Sequence, residues 1–158
     1  MESASLVFLD FDGVLNSATY QRAVAAKLTD AEFVTRSSKL LDVAAIERLN
    51  RLLAETGAKV VVSSTWRIGM TVPELQALLE GRGFNGVVYG VTPNLHSTRC
   101  AEIQAWLDQH GSDGRFVILD DADGMDELTS RHVRTDLESG LTDADCMRAI
   151  ELLSSKST

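Results

Sequence analysis

The sequence predicts an α/β protein built on a doubly wound parallel sheet, and three observations carry that expectation. Short apolar runs rich in β-branched residues alternate with stretches of helical periodicity along the chain, the pattern of repeated βαβ units with right-handed crossovers. The runs are apolar at successive positions, as strands covered on both faces are. Three of them stop abruptly at polar or acidic residues, namely Asp10, Ser63 and Asp120. In such sheets ligands sit beyond the carboxyl ends of the strands, where strand order switches.

Taken in order, the first strand runs from about Ser5 to Asp10 and opens into Phe11-Asp12-Gly13-Val14-Leu15. Residues 16–41 mix Ala-rich helical stretches with polar clusters and predict a flap or short helices. Asp42 is an N-cap for a helix whose apolar positions Ile46, Leu49, Leu52 and Leu53 keep helical spacing, and Gly57 closes it. Lys59 to Ser64 forms the second strand. Thr71-Val72-Pro73-Glu74 is a capping-box pattern with proline in the first turn, leading into a helix with Leu75, Leu78 and Leu79 inward and stopped by Gly81 and Gly83.

Gly86 to Val91 is the third strand, and Ser97 or Thr98 caps a helix in which Cys100, Ile103, Trp106 and Leu107 line one side as core. Arg115 to Asp120 is the fourth strand and His132 to Thr135 a weaker fifth. Thr142-Asp143-Ala144-Asp145 caps a last helix through Ile150 and Leu153. Together these elements make a five-stranded, Rossmann-like parallel sheet with helices on both faces, one domain over residues 1–153, and a frayed tail from Ser154 to Thr158.

The totals agree with this picture. A chain of 158 residues with 44% hydrophobic composition suits a single core. Fifteen Lys and Arg face 23 Asp and Glu, so the net charge of −8 gives no general attraction for nucleic acid or an anionic membrane surface. Cys100 and Cys146 lie far apart and form no Cys-x-x-Cys pair, which argues against a disulfide framework and a zinc knuckle. Met1 to Ala4 lack a basic region, and no apolar run approaches the roughly 18 residues of a membrane span. The expectation is a soluble, cytoplasmic protein without a membrane partner.

The chemistry gathers where the strands end. Asp10 and Asp12, Ser63 and Ser64, and Asp120 and Asp121 each follow an apolar strand, so one sheet brings them to a common edge. Carboxylates at i and i+2 of an extended chain share a face, and their repulsion asks for a cation or a shared proton. A cluster of carboxylates of this kind suits Mg²⁺, which prefers oxygen ligands and takes one or two carboxylates together with a substrate phosphate. The three histidines, His96, His110 and His132, show no ligand spacing and disfavour zinc.

With the metal neutralising the acids, one aspartate can attack phosphorus and the other can protonate the leaving oxygen and then activate water. Ser63 and a cation would supply donors to the phosphoryl oxygens. Arg99 is one candidate, because a positive side chain in the first turn of a helix opposes the macrodipole unless an anion lies nearby. Arg67, three residues past Ser64, is the other, as a clamp on the phosphate or the substrate body, while Trp66 reads as packing.

These residues resemble the haloacid dehalogenase (HAD) superfamily, specifically its aspartate-dependent phosphatases. Leu9-Asp10-Phe11-Asp12-Gly13 looks like the first motif, Val60-Val61-Val62-Ser63 the second, Arg99 the third and Leu119-Asp120-Asp121 the fourth. The resemblance implies Asp10 as nucleophile, Asp12 as general acid/base with its backbone carbonyl on Mg²⁺, and Ser63 as a phosphoryl ligand. Of the fourth pair, strand alternation lets one carboxylate point directly at the metal; the family pattern favours Asp121, with Asp120 supporting. Arg99 stands where lysine is commoner. An acid at position 12 favours phosphoester hydrolysis over dehalogenation.

The segments Ser63-Ser64-Thr65-Trp66-Arg67 and Thr135 to Thr142 look like a small subgroup associated with RNA-repair proteins. That implies a phosphorylated substrate that is a small molecule or a nucleic-acid end, against which the net charge weighs. Residues 16–41 leave room for a flap and 91–98 for a short loop, so little or no cap domain is expected. Two rival readings use the same pocket: a phosphotransferase or mutase, and a non-catalytic module binding a phosphorylated ligand.

Overall fold

A computed structural model describes residues 5–155 of the chain. Residues 1–4 and the last three of the expected tail, 156–158, lie outside the described residues. Five strands, β1 (Leu6–Leu9), β2 (Lys59–Val62), β3 (Val88–Val91), β4 (Phe116–Asp120) and β5 (His132–Arg134), form one sheet in the order β3-β2-β1-β4-β5. Every adjacent pair is parallel. The helices are α1 (Ala18–Ala25), α2 (Asp30–Val34), α3 (Val43–Thr56), α4 (Val72–Glu80), α5 (Arg99–His110) and α6 (Asp143–Leu153).

Strand alternation divides the core into two layers. Val7, Leu9, Val60, Val62, Val117 and Leu119 pack on Ile46, Leu49, Leu75, Leu79 and Ala149 from α3, α4 and α6. Leu6, Phe8, Val61, Phe116 and Ile118 face the other way, onto Ile103, Trp106 and Leu107 of α5. Phe8 meets Trp106 and Phe116 edge-on at centroid distances of 5.6 and 5.9 Å, contacts worth about 1 kcal/mol each beyond the area they bury. The chain crosses above one face from β1 to β3 and returns through α5 on the other, so the switch in strand order falls beside β1.

The caps follow local chemistry. Asp42 accepts from the Ala44 amide to start α3, and Gly57, with φ +70°, ends it. Thr71 and Glu74 form a reciprocal capping box on α4, and Thr142 and Asp145 do the same on α6. Thr98 is the residue that caps α5. The third strand begins at Val88, later than its sequence suggests, and at its start the Gln76 side chain donates to the Gly86 carbonyl and accepts from the Val88 amide. Past α6, the Ser154 amide bonds to Ile150 and the Ser155 carbonyl accepts from the buried Arg131.

Residues 16–41 form α1, α2 and a 3-10 turn at Ser38–Leu40 rather than a separate domain. Among the described residues, no helix is long and apolar enough to cross a membrane.

Candidate functional site

The sheet register builds the site. Leu9 is level with Val62 and Leu119, and Val62 with Val91. The next residues therefore form one row across the carboxyl edge: Thr92, Ser63, Asp10 and Asp120. Backbone bonds hold the row together, from Ser63 N to Leu9 O (2.9 Å), Asp10 N to Leu119 O (3.0 Å) and Thr92 N to Val62 O (3.0 Å). Two residues earlier, Phe8, Val61 and Ile118 face α5, so alternation turns the row toward that helix. All four residues are buried.

Three carboxylates converge there. One oxygen each from Asp10, Asp120 and Asp121 lies within 4.8 Å of the other two. Asp120 arrives as the last residue of β4. Asp121 also reaches the group, contrary to the expectation that alternation admits only one of the pair, because β4 ends at Asp120 and the chain bends immediately after it. Gly13, at φ +81°, passes so close to Asp121 that any side chain there would run into the carboxylate.

Asp12 is not part of this group. The extended strand ends at Leu9, so i and i+2 alternation no longer governs the pair, and Phe11 to Leu15 coil into a turn. Asp12 Oδ1 accepts instead from Asn16 Nδ2 at 2.9 Å and from Trp66 Nε1 at 3.2 Å, at the mouth of the site.

Arg99, the first residue of α5, lies over the acids. Its Nη1 is 2.7 Å from Asp120 Oδ2 and 3.3 Å from Asp10 Oδ1. Burial works against the guanidinium's charge, and the carboxylates of Asp10 and Asp120 more than reverse that, leaving its pKa raised. Burial and the charge of Asp120 push the Asp10 carboxyl up to about 7, despite the opposing pull of Arg99. Asp121 is raised as well, by burial first and then by Asp120. Three partly desolvated acids with one arginine hold excess negative charge, and their oxygen-only donor set fits a hard divalent cation.

The Ser63 hydroxyl is fully buried and has no hydrogen-bond partner among the described residues, and the Thr92 hydroxyl beside it in the row is the same. A buried hydroxyl left unsatisfied is costly, and one at a site edge is a donor held ready for a ligand oxygen. Ser64 has a different place: its Oγ accepts from Trp66 N and caps the Thr65–Arg67 turn. Arg67 is buried, with its donors turned to backbone carbonyls and to Glu102. The expectation of a free clamp on substrate does not match that geometry, because no guanidinium N–H remains to offer. Of the histidines, His132 bonds the Asp120 carbonyl and His110 stacks on Trp106 at 4.1 Å.

Residues 6–146 match the family model described as the HAD domain in Swiss Army Knife RNA repair proteins. The chain belongs to this HAD family. No curated protein and no solved structure matches it significantly.

Four residues of this HAD domain site escaped the sequence reading. Thr92 carries the same signal as Ser63, a first polar residue after an apolar strand, and was legible on that rule. Trp66 does pack, edge-on to Phe11 at 5.4 Å, and its indole N–H serves Asp12 at the same time. Asn16 and Glu102 gave no periodic or motif signal; each is defined by a partner that only the fold brings near.

Proposed function

We propose that this HAD domain is a Mg²⁺-dependent phosphomonoester hydrolase working through an aspartyl phosphate on Asp10. The observation that carries the reading is the buried Asp10 carboxylate, flanked by Asp120, Asp121 and Arg99 on one side and by the unpartnered Ser63 hydroxyl on the other. Asp10, Asp120 and Asp121, with the Asp12 backbone carbonyl, would hold the ion. Bound there, the ion would offset the negative charge of the acids and of the phosphoryl oxygens and so favour an ionised Asp10 carboxylate.

An Asp10 oxygen then bonds to phosphorus as the bond from phosphorus to the leaving oxygen breaks, and that oxygen takes its proton from Asp12. Ser63 and Arg99 donate to the phosphoryl oxygens. In the second half, water loses a proton to Asp12 and attacks phosphorus, releasing phosphate and restoring Asp10. Asp12 suits this exchange because its carboxylate stands outside the metal group, anchored through one oxygen by Asn16 and Trp66, with the other unbonded among the described residues.

A nucleotide or polynucleotide phosphate end is the proposed substrate class, on the strength of the family's description as a domain of RNA repair proteins. Two buried cysteines, both unpaired, suit a reducing cytoplasmic setting.

The test is turnover of p-nitrophenyl phosphate with Mg²⁺ and with EDTA, by the parent protein and by Asp10→Asn. Activity that depends on Mg²⁺ and disappears in the variant is the expected result. Metal-independent turnover, or a variant as active as its parent, overturns the mechanism. A panel of mononucleotides, sugar phosphates and 5′- or 3′-phosphorylated oligonucleotides then ranks the substrates, and phosphate recovered on an added acceptor instead of in water would indicate transfer.

A further inference from the structure

Arg67 and Glu102 form an ion pair sealed inside the domain. Arg67 Nη2 lies 3.1 Å from Glu102 Oε1, and the two side chains are only 5% and 7% exposed. The same guanidinium donates from Nε to the Thr92 carbonyl (2.9 Å), from Nη1 to those of Ser64 (2.9 Å) and Ser63 (3.4 Å), and from Nη2 to that of Pro93 (3.1 Å). These contacts occupy all the donors an arginine has. The second Glu102 oxygen accepts from the Leu95 amide at 2.8 Å.

One buried pair thus ties together the ends of β2 and β3, the loop that follows β3, and the first turn of α5. Each end of it leads to the site. Ser63 gives its carbonyl to Arg67 and its hydroxyl to the row beside Asp10. Glu102 follows Arg99 by three residues in the first turn of α5, which makes the two side chains neighbours on one side of the helix. The ion pair itself gives little reason for its presence on stability grounds, since apolar groups of similar volume commonly do as well in place of two buried charges; the carbonyl bonds of Arg67 are a separate contribution. Five acceptors fixed in a fan are matched by the planar fork of arginine and not by the point charge of lysine.

We propose that Arg67 and Glu102 are positioning residues that fix Ser63 and Arg99 over Asp10 without themselves touching the substrate. The catalytic part of this inference rests on the hydrolase reading; the mechanical part, that the pair fixes Arg99, does not. A misplacement of about 1 Å at a reacting centre costs on the order of 100-fold in rate.

The test uses Glu102→Gln, which keeps an acceptor for Leu95 but removes the charge, and the double variant Arg67→Met/Glu102→Leu, which replaces the pair with apolar groups. Each is followed by thermal melting, by p-nitrophenyl phosphate kinetics, and by the ¹⁵N NMR signal of the Arg99 Nε–H. The double variant, in which the Thr92 and Pro93 carbonyls and the Leu95 amide lose their buried partners, is expected to melt below the parent, with kcat of the folded protein down about 100-fold and KM changed less than threefold. Glu102→Gln should lose about tenfold in kcat. In both, the Arg99 signal should differ from the parent's in shift and in exchange with water. A purely structural pair would move melting and not kcat at matched stability. A folded variant with parental kcat and an unchanged Arg99 signal overturns the proposal. If the double variant does not fold, Glu102→Gln decides alone. An inactive parent overturns the hydrolase reading instead, and the Arg99 signal still judges the positioning.

Discussion

Trp66 Nε1–H donates to Asp12 Oδ1 over 3.2 Å, joining the turn after β2 to the turn after β1, 54 residues away in the chain. Asp12 is exposed, so no core packing holds its carboxylate; the indole and Asn16 Nδ2 do. Trp66→Phe keeps a ring against Phe11 and removes this donor, together with part of the ring volume of a buried residue. The variant is expected to lose about tenfold in kcat while melting within a few degrees of the parent, as read by steady-state kinetics and calorimetry.

Gly13 meets Asp121 more closely than any side chain permits and has a φ of +81°, which non-glycine residues adopt with strain. Gly13→Ala should therefore cost about 1–3 kcal/mol in stability and displace the Asp121 carboxylate. The second effect is the informative one. A Mg²⁺ titration of p-nitrophenyl phosphate turnover should show a weaker metal dependence, by tenfold or more, in whatever fraction of the variant folds.

Asp10 has a pKa of about 7 in the folded chain against 3.8 for an ordinary aspartate, so the folded state keeps a proton that the unfolded chain has released over that interval. Stability of the metal-free protein consequently falls as pH rises from about 4 to about 7 and levels off above, by a few kcal/mol at most. Asp121 is shifted the same way and adds to the slope. In EDTA, Asp10→Asn should melt higher than the parent at pH 8 and show a flatter profile. Mg²⁺ should raise the melting temperature of the parent at pH 8 more than that of the variant, because it binds the folded state through the missing carboxylate.

Ser63 and Thr92 carry buried hydroxyls with no partner among the described residues. Removing such a group relieves a desolvation penalty of about 1–3 kcal/mol, offset in part by the space it leaves. Thr92→Val, which preserves volume, is expected to stabilise the protein by about 1 kcal/mol. Ser63→Ala should leave stability level or slightly higher and lower kcat by about 100-fold, the loss expected for one donor to a developing oxyanion. Chemical denaturation and steady-state kinetics on the two variants separate a hydroxyl that serves substrate from one that does not.

The strands and helices were legible because local chemistry and periodicity determine them. Asp42, Thr71 and Thr142 cap the helices their sequence marks, and the β-branched runs are strands. The β3 start was not, since no local signal separates Gly86 and Val87 from the strand that begins at Val88. The paired acids after β1 and β4 were found because polar residues directly following an apolar strand have one place to go. Their geometry departs from that rule where strand alternation was carried past the strand: Asp12 does not join the carboxylate group of Asp10, and Asp120 and Asp121 both do.

By itself, then, the sequence determined the parallel α/β sheet, the edge where its polar residues collect and the type of chemistry those residues suit, all of which depend on neighbours in the chain. Only the tertiary structure decided which carboxylates share a site, that Arg99 lies over them while Arg67 is spent on carbonyls and Glu102, and that Trp66 holds Asp12. Arg99 and Asp120, Arg67 and Glu102, Trp66 and Asp12, and Asp10 and Asp120 lie 21, 35, 54 and 110 positions apart. No local pattern encodes them; they exist once the sheet register brings separate strand ends level.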